Sequence, residues 1–270
     1  MEDGSGGWRV AAGGGVVSGE WVCAARLMMP DSVQVAMVAA LEREVGPLVK
    51  RWRRVEREHE GRRFQFFESG QVVVVCGGIG AEVARRATEA VVALYQPERV
   101  LSVGFAGALD PALKVGEIFS PGRVIDARDG SSVEIAAGRG VLVSALTIAG
   151  MEQKAKLAES YAAQAVDMEA AAVARGAQAR GVRFMAVKAI SDESTFAMPP
   201  LDRFVDRDGR FRQMSFAASV AARPWLWSKI FQLARNSAKA SRALCAELDR
   251  YMSESKVSEP ELHPVSNQVR

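Results

Sequence analysis

The chain has 270 residues, of which 49% are hydrophobic and 25% are charged, and 35 basic residues against 32 acidic ones give a net charge of +3. This composition predicts a soluble globular protein with one large core, and so small a net charge gives no reason to expect a nucleic acid partner. Two histidines and three widely spaced cysteines argue against a zinc site and against Ser-His-Asp or Cys-His catalysis. Acid–base chemistry must therefore fall to carboxylates, and a reducing cytoplasm is the expected location.

The two ends of the chain differ in composition from the middle. Residues 1–32 open with acids, and glycines interrupt their apolar residues, so we expect a disordered N-terminal extension rather than a signal peptide. One catalytic domain is expected over residues 33–252, including a long C-terminal helix. Residues 253–270 are polar and are expected to form a flexible tail.

Strand and helix patterns alternate through the expected domain. Short apolar runs rich in Val and Ile predict strands at Gln34–Ala40, Val72–Cys76, Arg99–Gly104, Gly140–Ser144 and Arg183–Ile190. Helical patterns lie between them at Arg43–Arg57, Ala81–Leu94, Ala155–Ala162 and Glu169–Ala179. This order predicts an α/β domain with a mostly parallel or mixed sheet, in which ligands bind beyond the carboxyl ends of the strands.

Two segments that follow predicted strands could carry chemistry. Glu42 and Glu44 follow the first strand and point in different directions on a helix, so one of them can face a site, although both could be ordinary N-terminal helix acids. Gly77, Gly78 and Gly80 could bring backbone N–H groups close to an anion, although a simple tight turn has the same composition.

Three further segments are ambiguous in the same way. Small residues around Phe105, with Ala106 and Gly107, could form a flat slot for a planar base or could serve close packing. Glu169 and Asp192 each follow an apolar run, where a carboxylate can bind a ligand, act as an acid or cap a helix.

The order of these segments is more specific than any one of them. Five blocks resemble those of the nucleoside phosphorylase/nucleosidase superfamily, and most closely the 5′-methylthioadenosine/S-adenosylhomocysteine nucleosidases: AALEREV, CGGIGAEVA, VGFAGAL with LKVGEI, AVDMEAAAVA and VKAISD. The resemblance implies a three-layer α/β/α sandwich with a central mixed sheet, a homodimer, and a small purine nucleoside as partner. It also implies that no metal or organic cofactor takes part.

The resemblance also implies roles for particular residues. Glu44 would orient and deprotonate the attacking water, and Glu169 would bind the ribose hydroxyls while Met168 packs against the sugar. Asp192, helped by Ser191, would protonate N7 of the purine. These roles suit a reaction with a poor leaving group and an oxocarbenium-like transition state.

The base side of the resemblance is less complete. Phe105, Ala106 and Gly107 fall where the family has its base-side loop. Ile148 keeps an apolar position, but the adjacent aromatic that the family uses to stack on adenine is absent. Position 188 is Lys where the nucleosidases often have Arg, and the chain between Val124 and Val141 is short. These departures leave the substrate open.

The C-terminal part has a looser resemblance to the hopanoid-associated phosphorylases, which are thought to remove adenine from a lipid-linked nucleoside. Its segments are Met198–Leu201, Phe204–Phe211 and Arg223–Trp227, followed by a helix to about Tyr251. Three hypotheses follow: hydrolysis, which Glu44 favours; phosphorolysis, with phosphate as co-substrate at the Gly77–Gly80 amides; and a non-catalytic nucleoside-binding protein, against which the retained carboxylates argue.

The start of the last helix combines tryptophans with basic residues. Such a helix can lie on a membrane surface, and Trp225 and Trp227 would then sit at the lipid interface. Packing of its apolar stripe on the domain or across a dimer is the commoner use and is the interpretation we prefer.

Overall fold

A computed structural model describes residues 33–199, 204, 206, 209, 211, 212, 215, 216 and 223–257. The N-terminal extension expected over residues 1–32, and the tail beyond residue 257, lie outside these residues. The last helix continues to Val257, past the residue at which the tail was expected to begin.

Within the described residues, one mixed sheet of eleven strands forms the middle of the domain. The strands are β1 (Val35–Ala39), β2 (Arg53–His59), β3 (Arg62–Ser69), β4 (Val72–Cys76), β5 (Arg99–Ala108), β6 (Ile118–Phe119), β7 (Arg123–Asp126), β8 (Ser132–Glu134), β9 (Val141–Ser144), β10 (Ala165–Asp167) and β11 (Arg183–Asp192). Strand β1 pairs in parallel with β4 and β5, and β5 also pairs in parallel with β11. The long β5 also meets β10 antiparallel, so it joins the two halves of the sheet.

Helices cover both faces of the sheet. They are α1 (Glu42–Val49), α2 (Ala81–Tyr95), α3 (Met151–Tyr161), α4 (Ala170–Gln178) and α5 (Trp227–Val257). Successive side chains of a strand point to opposite faces, and β1 shows the result. Met37 packs in a core with residues of α1 and α5, whereas Val38 packs in a second core with residues of α2 and α4. The predicted three-layer sandwich with a mixed central sheet is confirmed.

Three sequence-based boundaries were wrong. The helix expected over Arg43–Arg57 ends at Val49, and Arg53–His59 forms β2, whose pairing with β3 depends on residues that a local pattern does not contain. The helix expected at Ala155 begins at Met151. Strand β5 runs beyond Gly104 to Ala108, because β10 and β11 pair with this last part of the strand.

A buried ion pair ties the strands together near the middle of the sheet. The Lys188 ammonium on β11 lies 2.9 Å from Asp167 Oδ2 on β10 and donates to Ser102 Oγ on β5 at 3.0 Å. Asp167 also accepts hydrogen bonds from the Ser144 hydroxyl at 2.6 Å and from the Ala170 amide at 2.9 Å. The side chains of Lys188 and Asp167 are almost completely buried. Each charge therefore needs the other to offset the cost of its burial.

We expect Lys188→Met to lower the free energy of unfolding by about 3–5 kcal/mol, because it leaves the Asp167 carboxylate buried without its cation. Denaturant unfolding near neutral pH measures this effect. Lys156→Met, which removes an exposed lysine from α3, is the matched control and should change stability by less than about 1 kcal/mol. Equal stability of the two variants would contradict the structural role given to Lys188.

Candidate active site

A cavity of about 780 Å³ lies where β1, β5 and β11 end, beside β10. It brings together most of the residues selected from the sequence. Its lining includes Glu44, Phe105, Ala106, Gly107, Ile148, Met168, Glu169, Ser191 and Asp192. Gly77, Gly78 and Gly80 are absent from the residues that form its described wall.

Glu44 reaches the cavity from the first turn of α1. Its Oε2 accepts hydrogen bonds from the amides of Ala40 and Leu41 at 3.1 and 3.2 Å, which fix the carboxylate at the end of β1. Burial raises the pKa of the Glu44 carboxyl, although the Leu41 amide and the charge of Lys188 act in the opposite direction. Glu42 remains exposed and pairs with Arg54 instead, so one carboxylate of the two faces the cavity.

Gly104 on β5 makes room for the Glu44 side chain. A Cβ atom at this position would lie 2.9 Å from Glu44 Oε2, and the residue has a φ of +145°. A side chain would therefore be strained by its own backbone and would displace the carboxylate. Gly104 lies in the VGFAGAL block, but nothing in the local sequence marks this glycine as part of the site.

Glu169 faces the same cavity from the start of α4. Its Oε1 accepts a hydrogen bond from the Gly80 amide at 2.8 Å. Burial, with the neighbouring Asp167 charge, raises the pKa of Glu169 to about 8. Met168 lies beside it in the wall, so a carboxylate and an apolar thioether occupy neighbouring positions, as an interaction with a sugar would need.

The glycine loop after β4 has an internal role. Its four amides donate in turn to the carbonyl groups of Ala39, Ala40 and Gly209 and to the Glu169 carboxylate, over 2.8–2.9 Å. The sequence predicts that Gly77, Gly78 and Gly80 bind an anion, but their backbone amides already donate to groups of the protein. A Cβ atom on Gly77 would come within 2.8 Å of Ala87 Cβ, so glycine here permits close packing on α2.

The Asp192 carboxylate accepts hydrogen bonds from two different donors. The Ser191 hydroxyl donates to Oδ1 at 2.7 Å, and the Lys154 ammonium donates to Oδ2 and, at 2.8 Å, to the main-chain oxygen of Glu193. Lys154 is not predicted as a site residue from the sequence, because a lysine in an amphipathic helix usually faces solvent. Its position near the beginning of α3, where the helix dipole disfavours a cation, was the one available signal.

The wall beside Asp192 has the composition expected of a base-binding slot. Phe105, Ala106 and Gly107 come from the end of β5, and Ile148 comes from the connection before α3. A Cβ atom on Gly107 would lie 2.9 Å from Asp192 Oδ2. Glycine therefore lets the strand backbone lie close to the carboxylate.

A second, apolar part of the cavity lies against the first half of α5. Its wall includes Pro47, Met198, Phe211, Phe216, Ile230, Leu233 and Ala234, which we call the apolar lobe. The Phe211 and Phe216 rings lie 5.2 Å apart, and the Arg43 guanidinium lies 5.7 Å from the Phe211 ring centroid. The long C-terminal helix is therefore part of the site.

The remaining surface of α5 has two distinct regions. Ala240, Leu244 and Leu248 are buried in the core on the α1 side of the sheet, further along the helix than the tryptophans at its start. Trp225 and Phe231, near the start of the helix, are 71% and 69% exposed. Among the described helices, none is long and apolar enough to cross a membrane.

Comparison with known proteins agrees with this geometry. Residues 34–140 and 131–221 match the sequence model of the phosphorylase superfamily. A 5′-methylthioadenosine/S-adenosylhomocysteine nucleosidase from Marinomonas sp. (strain MWYL1) is 30% identical over 95 residues, which cover 34% of this chain and 41% of that protein. Less than half of that relative's length is therefore matched.

Solved structures share the fold over a longer stretch. Futalosine hydrolase of Helicobacter pylori has a TM-score of 0.58 and 20% identity, with 81% of this chain and 98% of that chain covered. S-adenosylhomocysteine nucleosidase of Streptococcus pyogenes, in complex with 5-methylthiotubericidin, has a TM-score of 0.60 and 16% identity, with 83% and 97% covered. An adenine complex of a nucleosidase from Colwellia psychrerythraea has a TM-score of 0.52 and 24% identity, with 60% and 83% covered.

The sequence blocks, the sheet with its cavity and the match over most of the described domain all point to one family. The chain belongs to the phosphorylase superfamily.

Proposed function

We propose that this protein hydrolyses the N-glycosidic bond of an adenine nucleoside of the 5′-methylthioadenosine or S-adenosylhomocysteine type. One observation carries the proposal: Glu44 from the first turn of α1 and Asp192 from the end of β11 line one cavity together with Glu169 and Met168. Cleavage of this bond needs a base or nucleophile at the sugar and an acid at the purine.

The two ends of the cavity suit the two halves of this reaction. A purine anion leaves poorly, so proton delivery to N7 at the Asp192 end would lower the barrier. The sugar becomes oxocarbenium-like as the bond breaks, and the buried Glu169 carboxylate would bind its hydroxyls and stabilise the developing positive charge. Ser191, which donates to Asp192 Oδ1, would hold that carboxyl group in orientation.

Water is the nucleophile that the surroundings of Glu44 favour. Desolvation makes this carboxylate a stronger base, and two amides fix its direction. The backbone amides of Gly77–Gly80 already donate hydrogen bonds to other groups of the protein. Phosphate would therefore have to displace internal hydrogen bonds to bind there, whereas water needs only the Glu44 carboxylate.

We expect Glu44→Gln and Asp192→Asn each to lower kcat for 5′-methylthioadenosine by roughly 10²–10⁴-fold, because one loses the base and the other the acid. Glu42→Gln, two residues from Glu44 and exposed, is the matched control and should retain activity. Mass analysis should find free sugar with and without phosphate. A sugar 1-phosphate, or phosphate-dependent turnover that survives Glu44→Gln, would contradict hydrolysis.

The raised carboxyl pKa values predict the direction of the pH dependence. A raised pKa means that the group takes up its proton at a higher pH than an ordinary carboxyl, so the ionised form is lost sooner on acidification. We expect kcat/KM for 5′-methylthioadenosine to show a first fall as the pH decreases through about 8, where Glu169 takes up a proton; protonation of Glu44, whose pKa is also raised, lowers kcat/KM as well.

Steady-state kinetics across this range measures the effect. Glu169→Gln should be slow throughout, with the first fall absent, because its side chain no longer titrates. A wild-type profile that stays flat well below neutrality would show that neither carboxylate works in its ionised form.

The apolar lobe favours a second candidate, phosphorolysis of an adenosyl-hopanoid or a similar lipid-linked nucleoside. A methylthio group is small, whereas Phe211, Phe216, Ile230 and Leu233 offer an apolar wall that could hold a much larger 5′ substituent. This candidate uses the same acid and the same ribose contacts, and it differs in the nucleophile and in the group on the 5′ carbon.

A series of 5′-alkylthioadenosines tests the role of the lobe. Each methylene buried there contributes about 0.8 kcal/mol, so kcat/KM should rise about fourfold per methylene while the chain is being buried. Leu233→Asp should abolish this gain, and Phe231→Asp, at an exposed position of the same helix, should leave it intact. A steady decline with chain length would limit the site to small 5′ groups.

A further inference from the structure

Lys154 is an unusual residue for its position. It lies in the first half of α3, where the helix dipole disfavours a positive charge, yet its side chain is only 2% exposed. Burying an ammonium group costs several kcal/mol unless it is well paired. The arrangement is therefore one that needs a compensating partner, and that partner is Asp192.

The pair faces the cavity rather than the core. Both side chains line it, at the slot formed by Phe105, Ala106 and Gly107. A Cβ atom on Gly107 would lie 2.9 Å from Asp192 Oδ2 and 3.3 Å from Lys154 Nζ. The absence of a side chain at this one position thus lets both groups pack against the backbone of β5 in the cavity wall.

The ionisation of the pair bears on proton delivery. The Asp192 carboxylate accepts from an ammonium on Oδ2 and from the Ser191 hydroxyl on Oδ1. Two donors of this kind stabilise the anion. In an ion pair of this kind the transferable proton lies on the ammonium nitrogen of Lys154.

We propose that Lys154 supplies the proton that the leaving base takes up, and that it acts through Asp192. This inference rests on the proposed cleavage of a purine nucleoside. Lys154 is then a positioning residue and a proton source, and the ion pair works as one acid. An ammonium is protonated at neutral pH, so the acid is ready without acidification of the medium.

The step balances. As the bond between C1′ and N9 breaks, its electron pair passes to the base. Asp192 donates a proton to N7 and receives one from Lys154, which becomes a neutral amine. Water adds to C1′ and gives its proton to Glu44, and transfer of that proton to Lys154 through solvent restores the enzyme.

Other charged groups share the cavity with the pair. Its wall also includes Arg43, Glu44, Asp167, Glu169 and Arg242, and Lys188 interacts with the three carboxylates among them. Glu193, whose main-chain oxygen accepts from Lys154, has its carboxylate 3.7 Å from Lys114. Removal of Lys154 leaves Asp192 as the remaining acid of the pair at the base slot.

Two substrates separate proton supply from folding or binding. Adenine in 5′-methylthioadenosine needs a proton in order to leave, whereas 4-nitrophenolate in 4-nitrophenyl β-D-ribofuranoside is a stable anion. We expect Lys154→Met to lower kcat for the first by roughly 10²–10⁴-fold and for the second by less than about tenfold. Lys156→Met, on the exposed face of the same helix, should match the wild type on both.

The pH profile gives an independent readout. The alkaline limb of kcat/KM for 5′-methylthioadenosine should move to lower pH in Lys154→Met by more than about one unit, since the proton must then reside on Asp192. If circular dichroism shows that this variant is not folded, Lys154→Arg keeps the positive charge but cannot release a proton, and the same loss on the adenine substrate is expected.

The outcomes distinguish the two proposals. No adenine released by the wild type would overturn the proposed function itself. Adenine released by the wild type, with a folded Lys154 variant that keeps the wild-type rate and pH limb, would overturn the role of Lys154 alone. Equal losses on both substrates with an unchanged pH limb would reduce Lys154 to a structural residue.

Discussion

Burial of several carboxylates around one ammonium is the constraint on which the site depends. Asp167, Glu169 and Glu44 all lie within the electrostatic reach of Lys188, which is itself fully buried on β11. The charge of that ammonium opposes the effect of burial on the pKa of Glu44 and of Glu169. Strand β11 therefore provides the compensating ammonium of Lys188 and also leads to Asp192.

The carboxylates are only partly matched by cations, so the two ends of the cavity differ in charge. One ammonium faces three carboxylates at the sugar end, where Glu44 and Glu169 have raised pKa values because of burial. At the other end, Asp192 is matched by Lys154. The proposed cleavage of a glycosidic bond moves positive charge onto the sugar and negative charge onto the base, and this distribution would favour such a transition state over a bound nucleoside.

Strand β5 makes both ends accessible through two glycines. Gly104 leaves room for Glu44, and Gly107 leaves room for Asp192 and Lys154. The strand pairs with β1, β10 and β11, the three strands that lead to the ionisable residues. Its position in the sheet thus sets the spacing of the groups, and its lack of side chains at two places lets them approach the backbone.

The sequence by itself determined the family, the central strands and the carboxylates of the site. Val72–Cys76 and Arg183–Ile190 are recognisable because a buried strand has a local apolar pattern, and Glu169 and Asp192 stand in motifs whose order is specific. The tertiary structure decided what depends on distant partners. Arg53–His59 became a strand only by pairing, and the glycine loop used its Gly80 amide on a carboxylate 89 positions away. Lys154 met Asp192 across 38 positions, because packing of α3 against the sheet, and no local pattern, brings a helix lysine to the end of a strand.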